Sequence, residues 1–351
     1  MTRIGLLAPY APPIPGGISS FVSGLRAALE QRGDEVFLFA GEGNGDRPVH
    51  SNLGTGRQYV HQAQRSLDTV RPDVIHCHSH WYTLAAGVRY LAKNPNARLV
   101  FSFHTTTLPH LRRLFANLLS KAQVLTFVSS AQLAEIRFAL QLGGDLRILR
   151  PATRLTTVDP RRVEEWKRSQ DLESAFPILA FAGPLEYPRK VAGVVDLVKA
   201  FRNIRRRYPR ARLLIIGDGS LRSRVEEAGT DLGGAMTVTG FVDDPRVALS
   251  CADLYCQISR QEGFPIALLE AMSLGRCVIA TRVGGIPEIL DDSNGLLVGS
   301  EPQEIEKAVY SLLEDPHRRD TFAVGARRTI ERSYAWDARL PQIDSIYGLA
   351  G

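Results

Sequence analysis

Two glutamates, Glu262 and Glu270, have a spacing that could place both carboxylates around one ligand. Pro265 lies between them, and proline is favoured at the first position of a helix, where its missing N–H leaves no hydrogen bond unmade. An apolar run follows, and Gly275 is placed to end the helix. The pattern therefore predicts a short helix whose free N–H groups and dipole form an anion site at its start.

The predicted helix sets the geometry of the two acids. Glu262 precedes it, and Glu270 lies roughly 7 Å along its axis. Because helical side chains lean toward the helix N-terminus, Glu270 is expected to point at the bound anion. A diphosphate there would have one carboxylate on each side. One carboxylate could accept hydrogen bonds from a sugar and the other from a ribose, an arrangement that suits a nucleotide sugar. On spacing alone, a surface helix with two solvated acids is the simpler interpretation.

The sequence around these glutamates resembles retaining GT-B glycosyltransferases of the Glu-x7-Glu type, the glycosyltransferase family 4 class. The resemblance runs through GPLEYPRK at 183–190, LLIIGDGSLRSRVEEAG at 213–229, VTGFV at 238–242, ADLYCQIS at 252–259 and EGFPIALLEAM at 262–272, and then through VGGIPEIL and NGLLV. The N-terminal half is similar more loosely, through PGGIS at 15–19, DVIHCHSHW at 73–81 and SFHTT at 102–106.

The resemblance implies an activity and a set of site residues. A sugar would pass from a nucleoside diphosphate sugar to an acceptor hydroxyl by a same-face route, in which the leaving diphosphate takes the acceptor proton. No cofactor and no metal would be needed, because two adjacent cations would neutralise the diphosphate. The implied catalytic residues are His104, Glu262, Arg189 and Lys190. The implied donor-binding residues are Gly16, Gly17, Gly183, Gly217, Asp218, Val242, Gly263, Phe264, Pro265, Ile266 and Glu270.

The chain departs from the family pattern at Pro184, where many relatives have an arginine, and Val191 and Ala192 precede Gly193 as two extra residues. Which cation meets each phosphate therefore stays open. Two alternative functions also stay open: a nucleotide-sugar epimerase on the same architecture, and a non-catalytic subunit that binds a nucleotide sugar.

The elements that must position these residues alternate between short apolar runs and helical patterns. Strands are predicted at 3–8, 35–40, 73–77, 98–103, 124–128, 146–149, 178–182, 213–216, 237–239, 254–258, 278–280 and 296–298. In the first half, helices are predicted near 17–32, 81–93, 108–121 and 130–142. This alternation predicts an α/β protein with two Rossmann-like, doubly wound parallel-sheet domains. The resemblance implies the GT-B arrangement, in which the two domains face a cleft.

The boundary between the domains is expected in the polar, proline-containing segment 150–162. Residues 1–155 would form the acceptor domain and 156–333 the nucleotide-sugar domain. By resemblance, a last helix within 334–351 would return to the first domain, anchored by Trp336 and Tyr347.

Composition restricts the class of protein. Hydrophobic residues make up 44% of the 351, as in an ordinary globular chain. The sequence has no run of 18 apolar residues, so we expect no membrane-spanning helix. We also do not expect secretion through a leader peptide, because the sequence at 3–8 is typical of a buried strand. Four cysteines, each in or beside an apolar segment, favour a reduced cytosolic protein with buried thiols.

Histidines His76, His78 and His80 alternate along a predicted strand, which would put all three on one face. No carboxylate follows at a suitable interval to complete a metal site. The family has a similar pair of histidines without metal, so we expect these side chains to line the acceptor side of the cleft.

The net charge is +6, with arginines concentrated in the segment 202–212. No aromatic residues are interleaved as a base-stacking platform would need, so nucleic acid is not expected. A solvated helix face and an anionic membrane both stay open as explanations. The segment 111–121 adds an amphipathic pattern in the acceptor domain, with arginines beside an apolar face. Packing on the sheet and contact with the inner face of a membrane are the two interpretations of it.

Overall fold

The computed structural model describes residues 1–14, 16–45, 55–155, 157–242 and 244–349. The chain divides into two compact units. The first comprises Met1–Ala152 with Trp336–Gly351, and the second comprises Thr153–Ala335. The first division falls between Ala152 and Thr153, and the second between Ala335 and Trp336.

The first unit contains a parallel sheet of six strands in the order β2-β1-β3-β4-β5-β6. Its strands are β1 (Arg3–Tyr10), β2 (Glu35–Glu42), β3 (Val74–His78), β4 (Arg98–Phe103), β5 (Val124–Phe127) and β6 (Asp145–Ile148). The strands β3, β4 and β5 are buried along most of their length. That burial explains their nearly continuous apolar sequences, because a parallel sheet is covered on both faces.

The helices of the first unit include one that the sequence analysis missed. They are α1 (Gly17–Arg32), α2 (Gly56–Val70), α3 (Trp81–Leu91), α4 (Arg112–Leu119), α5 (Ser130–Leu140) and α13 (Trp336–Tyr347). No helix was predicted at α2, because its apolar residues never form a run. Its buried stripe is spread over Tyr59, Ala63, Leu67 and Val70, with polar residues between them.

The second unit contains a parallel sheet in the order β12-β11-β10-β7-β8-β9. Its strands are β7 (Ile178–Ala182), β8 (Arg212–Ile216), β9 (Met236–Gly240), β10 (Leu254–Gln257), β11 (Cys277–Thr281) and β12 (Leu296–Val298). Each of these matches a predicted strand within two residues at either end. The prediction of two parallel, doubly wound α/β sheets is therefore confirmed.

The helices of the second unit are α6 (Pro160–Ser169), α7 (Pro188–Arg207), α8 (Arg222–Ala228), α9 (Pro245–Ser250), α10 (Ile266–Ser273), α11 (Pro302–Leu313) and α12 (Pro316–Thr329). Several begin with proline, as the fixed φ of proline favours. Helix α6 starts inside the predicted irregular boundary 150–162, where the Asp159 side chain accepts the N–H of Arg161.

Each sheet has one point at which its strand order reverses. The chain leaves β1 toward β2 and returns to add β3 on the other side, and it leaves β7 toward β8 and β9 before adding β10. Ligands of open α/β sheets bind beside such a point, outside the carboxyl ends of the strands. The loops after β1 and β3, and those after β7 and β10, are therefore the places to look for a site.

Helix α13 belongs to the first unit through two aromatic anchors. Trp336 is buried and fills the space beside Gly24, where a Cβ would lie 2.5 Å from the indole nitrogen. Tyr347 is also buried, and its hydroxyl lies 2.9 Å from Nδ1 of His76. These are the two residues that the sequence analysis expected to anchor the returning helix.

Candidate functional site

In the second unit, the loops that follow β7 and β8 are tied together by their backbones. Gly183 donates its N–H to Ile216 at 3.0 Å, and Leu185 donates to the carbonyl of Asp218 at 2.8 Å. At Gly217, φ is +154°, and a Cβ would lie 2.1 Å from the carbonyl oxygen of Gly183. Only glycine allows this approach. The structure therefore brings together the predicted residues Gly183, Gly217 and Asp218.

The centre of the site is a buried ion pair between two predicted catalytic residues. Nζ of Lys190, in the first turn of α7, lies 3.0 Å from Oε1 of Glu262, in the loop after β10. The two side chains are only 12% and 6% exposed. A pair so removed from water must be held by good geometry and further hydrogen bonds. Gln257 provides one of these, since its Nε2 donates to the same oxygen at 2.9 Å.

Arg189 does not share the environment of Lys190. It is exposed, and no described residue pairs with its guanidinium. Its carbonyl accepts the N–H of Arg260 at 3.2 Å, which joins the start of α7 to the loop that carries Glu262. The two adjacent cations of the sequence are thus one buried, paired ammonium and one free guanidinium.

The start of α10 differs by one residue from the prediction. Pro265 has an extended backbone with ψ of 112° and caps the helix, and Ile266 is the first helical residue. The prediction that proline occupies the first helical position is therefore wrong. Phe264 anchors the preceding loop by packing on Tyr334, with ring centroids 5.8 Å apart.

The loop before α10 also packs on the segment after β11. Gly263 accepts the N–H of Gly285 at 2.9 Å. At Gly284, a Cβ would lie 1.8 Å from the carbonyl oxygen of Glu262. Gly275 ends the helix with φ of +65°, as predicted.

Glu270 lies within α10 in a setting unlike that of Glu262. It is half-buried, and its carboxylate accepts no hydrogen bond from any described residue. Desolvation raises the pKa of Glu270 to about 7, against the opposing effect of Arg246. Arg246 itself is bound by Asp244 at 2.6 and 2.9 Å. Val242, predicted at the donor site, is half-buried in the loop that precedes α9.

In the first unit, Gly16 and Gly17 lie at the start of α1, after β1. Gly16 caps the helix with φ of +144°, a conformation that glycine alone adopts readily, and Gly17 is the first helical residue. The start of a helix of 16 residues supplies free N–H groups beside the reversal point of this sheet.

His104 follows β4 and contacts a second histidine. Its Nε2 lies 3.0 Å from Nδ1 of His78, and Phe21 packs edge-on against it with centroids 4.8 Å apart. Burial lowers the pKa of His104 to about 3. The imidazole is therefore neutral near pH 7 and can offer a hydrogen bond but no charge.

The three alternating histidines do not share one strand face. Strand β3 ends at His78, and the chain turns at Ser79, whose φ is +61°. His80 therefore caps α3 and stacks on Tyr82, so the expectation of one shared face is wrong. His76 is bound by Tyr347 and by Ser102 at 2.6 Å. In the described ranges, no three His, Cys, Asp or Glu side chains are grouped as metal ligands.

The arginine cluster of 202–212 is largely paired within the second unit. Arg202 binds Asp231, Arg207 binds Glu314, and Arg212 binds Asp171. These contacts favour the solvated-face interpretation of the cluster. All four cysteines are buried and free, as expected.

The predicted apolar face of the segment 111–121, which contains helix α4, is only partly buried. Phe115 and Leu119 are buried, whereas Leu111 and Leu114 are 68% and 59% exposed. Among the described helices, none has the length and apolar character required to cross a bilayer.

Sequence comparison identifies the family. A model described as "Glycosyltransferase Family 4" matches residues 15–152, and one described as "Glycosyl transferases group 1" matches residues 176–315. The chain belongs to this glycosyltransferase family. The glycosyltransferase is 26% identical over 364 residues to a GDP-mannose-dependent monoacylated alpha-(1-6)-phosphatidylinositol monomannoside mannosyltransferase of Corynebacterium glutamicum, covering 93% of this chain and 92% of the relative.

Other relatives extend the same comparison. A phosphatidyl-myo-inositol mannosyltransferase of Mycolicibacterium smegmatis is 27% identical, covering 98% of this chain and 93% of that one. The sucrose-phosphate synthase structure from Thermosynechococcus elongatus matches with a TM-score of 0.81 at 21% identity, covering 99% of both chains. The fold is therefore that of the GT-B glycosyltransferases, and the chain is an enzyme of glycosyl transfer that uses a nucleotide sugar.

Sequence reasoning missed three residues that act on the predicted ones: Gln257, which binds Glu262, Arg246, whose charge acts on Glu270, and His78 in its role as a partner of His104. The sequence around Arg246 gives no sign of its effect on Glu270. For Gln257 a weak signal existed, since a glutamine at the end of an apolar strand needs a buried hydrogen-bond partner.

Proposed function

We propose that this glycosyltransferase moves the sugar with retention of configuration and without a metal ion, holding the donor in the second unit and the acceptor in the first. The observation that carries the proposal is the buried pair of Lys190 and Glu262 at the reversal point of the second sheet. A cation and a carboxylate beside this point support the binding of a sugar diphosphate there, because ligands of open α/β sheets bind outside the carboxyl ends of the strands at such a point.

The residues divide the work on the donor. Lys190 and the start of α10 would stabilise the negative charge that develops on the leaving diphosphate, with Arg189 free to reach the same group. Glu262 would accept a hydroxyl of the sugar and Glu270 a hydroxyl of the ribose. His104, which is neutral, would contribute a hydrogen bond from the first unit. In the same-face route, the diphosphate oxygen takes the acceptor proton, so no protein nucleophile is required.

Lys190 could also supply the positive charge that many relatives obtain from an arginine at the position of Pro184. An arginine is absent there, and the ammonium of Lys190 lies beside Gly183, where a Cβ would be 3.7 Å from its Nζ. The relatives from Corynebacterium and Mycolicibacterium make GDP-mannose the first donor to test, with UDP- and ADP-sugars after it.

The test compares single variants in a transfer assay with GDP-mannose and phosphatidylinositol. Lys190→Ala is expected to lower kcat by a factor of 100 or more, because the interaction strengthens in the transition state. Arg189→Ala should have a smaller effect. Lys199→Ala is the matched control, since Lys199 lies on the same helix but pairs with Asp196, with 52% of its side chain exposed.

Three outcomes would contradict the proposal. Wild-type kcat in the Lys190→Ala variant would remove the role of the pair. Loss of activity with EDTA and recovery with Mg²⁺ would contradict metal-independent transfer. Epimerised donor in the absence of acceptor, without transfer in its presence, would favour an epimerase.

A lipid acceptor is favoured by the surface of the first unit. Leu111 and Leu114 are exposed beside Arg112 and Arg113, a combination that binds anionic membrane surfaces. Both curated relatives named above are phosphatidylinositol-related mannosyltransferases. The acceptor would then be a phosphoinositide-type lipid presented by the membrane to the first unit.

Vesicle sedimentation tests this surface. Vesicles with phosphatidylinositol should bind the protein in a salt-sensitive manner, and neutral phosphatidylcholine vesicles should not. Leu114→Ser together with Arg113→Ser should weaken binding, with roughly 1 kcal/mol from the lost charge. Val324→Ser, at a similarly exposed apolar residue of the second unit, is the control. Equal lack of binding to both vesicle types at low salt would point to a water-soluble acceptor.

A further inference from the structure

Strand β10 carries two buried polar side chains that the proposed mechanism does not use. Tyr255 and Gln257 are both fully buried, in a strand flanked by β7 and β11. Alternation along the strand puts them on the same face. A buried amide destabilises the fold unless its hydrogen bonds are made. The partners of Gln257 therefore indicate why a glutamine, and not an apolar residue, ends this strand.

The partners fix the direction of a hydrogen-bond chain. The carboxylate of Glu262, paired with Lys190, can only accept, so Gln257 must present its amide N–H to Oε1. The amide oxygen of Gln257 then faces the other way and accepts the hydroxyl of Tyr255 at 2.5 Å. The orientation of the amide follows from the charge of Glu262.

These hydrogen bonds leave one oxygen of the Glu262 carboxylate available to a ligand. Oε1 has contacts with two different elements: it forms an ion pair with Lys190 of α7 at 3.0 Å and accepts a hydrogen bond from Gln257 of β10 at 2.9 Å. Oε2 accepts no hydrogen bond from any residue that the structure describes. An ion pair and a hydrogen bond on one oxygen restrict the rotation of the carboxylate and so fix the direction in which Oε2 points.

We propose that Gln257, held by Tyr255, is a positioning residue that aims Oε2 of Glu262 at a hydroxyl of the donor sugar. This rests on the proposed function, in which Glu262 contacts the sugar. Lys190 alone would leave the carboxylate free to turn about a single contact. Gln257 adds the second contact from a strand of the sheet, and strands position side chains more precisely than loops do.

The readout is the Kd of GDP divided by the Kd of GDP-mannose. This ratio isolates the contribution of the sugar to binding, and it can be measured in inactive variants. Gln257→Leu should weaken GDP-mannose about tenfold, which is about 1.4 kcal/mol, and leave GDP within twofold. Glu262→Ala should lower the same ratio. In the Glu262→Ala background, Gln257→Leu should have no further effect, because the residue acts only through Glu262.

The outcomes separate two failures. A normal ratio in Gln257→Leu, or a tenfold loss in both backgrounds, overturns the positioning role and leaves the proposed function intact. A normal ratio in Glu262→Ala overturns both. UDP and UDP-glucose replace the guanosine pair if the protein binds uridine nucleotides instead.

Two further variants guard against a folding defect. Tyr255→Phe is nearly isosteric and removes only the hydroxyl that orients Gln257. It should weaken GDP-mannose about threefold in the wild-type background and not at all with Glu262→Ala. Cys256→Ala lies on the same strand in the apolar core, and it should lower thermal stability while leaving the ratio unchanged. A loss of ratio in Cys256→Ala equal to that in Tyr255→Phe would mean that the effect is loss of packing.

Discussion

The two glutamates of the family motif occupy environments that give them different chemistry. Glu262 shares one oxygen between Lys190 and Gln257, so its charge is compensated by the protein itself. Glu270 has no such partner, and desolvation raises its pKa to about 7 although Arg246 opposes the shift. Near neutral pH, Glu270 therefore gains or loses its proton in response to a ligand.

Nucleotide-sugar affinity is expected to depend on Glu270 and on pH. A ribose hydroxyl donates more strongly to the ionised carboxylate, so binding should tighten as the pH rises from 6 to 8, by a factor of about ten. A nucleotide sugar is the suitable probe, because each of its two phosphates carries one ester and the shared anhydride and therefore does not ionise near neutral pH. Titration calorimetry in buffers of different ionisation enthalpy should show proton release.

Glu270→Gln is the control for this pH dependence. The variant should bind with one affinity across the range, and a wild type that also does so would contradict the assignment. Without ligand, the raised pKa means that protonated Glu270 stabilises the fold below pH 4.5, and this stabilisation is lost as the pH rises through 7. At pH 8 the ligand-free variant should therefore melt at a higher temperature than the wild type.

At the scale of elements, backbone packing holds the site loops in place. Gly193 of α7 touches the segment after β10, and a Cβ there would lie 2.5 Å from Cα of Ser259. This close approach lets Lys190, one turn earlier on the same helix, reach Glu262, three residues after Ser259. The position of α7 and the ion pair of Lys190 and Glu262 are thus coupled through one glycine.

Gly193→Ala is expected to displace α7 from that segment and lengthen the contact between Lys190 and Glu262. Overpacking of this kind costs about 1–3 kcal/mol of stability, and kcat should fall more than nucleoside diphosphate binding. Gly234→Ala is the matched control, since its new Cβ would come no nearer than 3.8 Å to Arg212. Equal kcat in both variants would show that the approach of α7 does not matter for turnover.

The sequence predicted the elements better than their contacts. The central strands were visible because a parallel strand buried on both faces needs an apolar run, as in Ile178–Ala182. Helix α2 was missed because its burial is confined to a sparse stripe. The glutamate spacing and the cation Lys190 were accessible to local reasoning. The role of Gln257 was not accessible, because it depends on the contact with Glu262. The two residues are separated by a turn whose path no local sequence pattern predicts.

At the scale of the whole molecule, the two units differ in what they bury. The first unit holds His76, His78 and His104 away from water, and desolvation lowers the pKa of His76 and His104 to about 3 and that of His78 well below its ordinary value. The second unit has one histidine, His317, and it is exposed. Protonation of these histidines in the unfolded state should therefore lower the stability of the first unit and not that of the second.

Acid is expected to unfold the first unit before the second. The unfolded chain binds protons on these histidines near pH 6.5, whereas the folded chain does not until about pH 3. Stability should therefore fall as the pH drops from 6.5 toward 3, by up to about 1.4 kcal/mol per pH unit for each histidine. Trp81 and Trp336 report on the first unit and Trp166 on the second, so variants that retain one reporter set follow each unit by fluorescence during urea unfolding.

His76→Gln provides the decisive comparison. Glutamine can replace the hydrogen bonds to Tyr347 and Ser102 but does not titrate, so the slope of unfolding free energy against pH should decrease by the contribution of one proton between pH 6 and 5. Asn117→Gln, at an exposed residue of the same unit that carries no titratable group, should leave the slope unchanged. If the wild type and His76→Gln lose stability in parallel as the pH falls, the acid sensitivity arises from carboxylates elsewhere, because a histidine that stays neutral in the folded state must contribute to the slope.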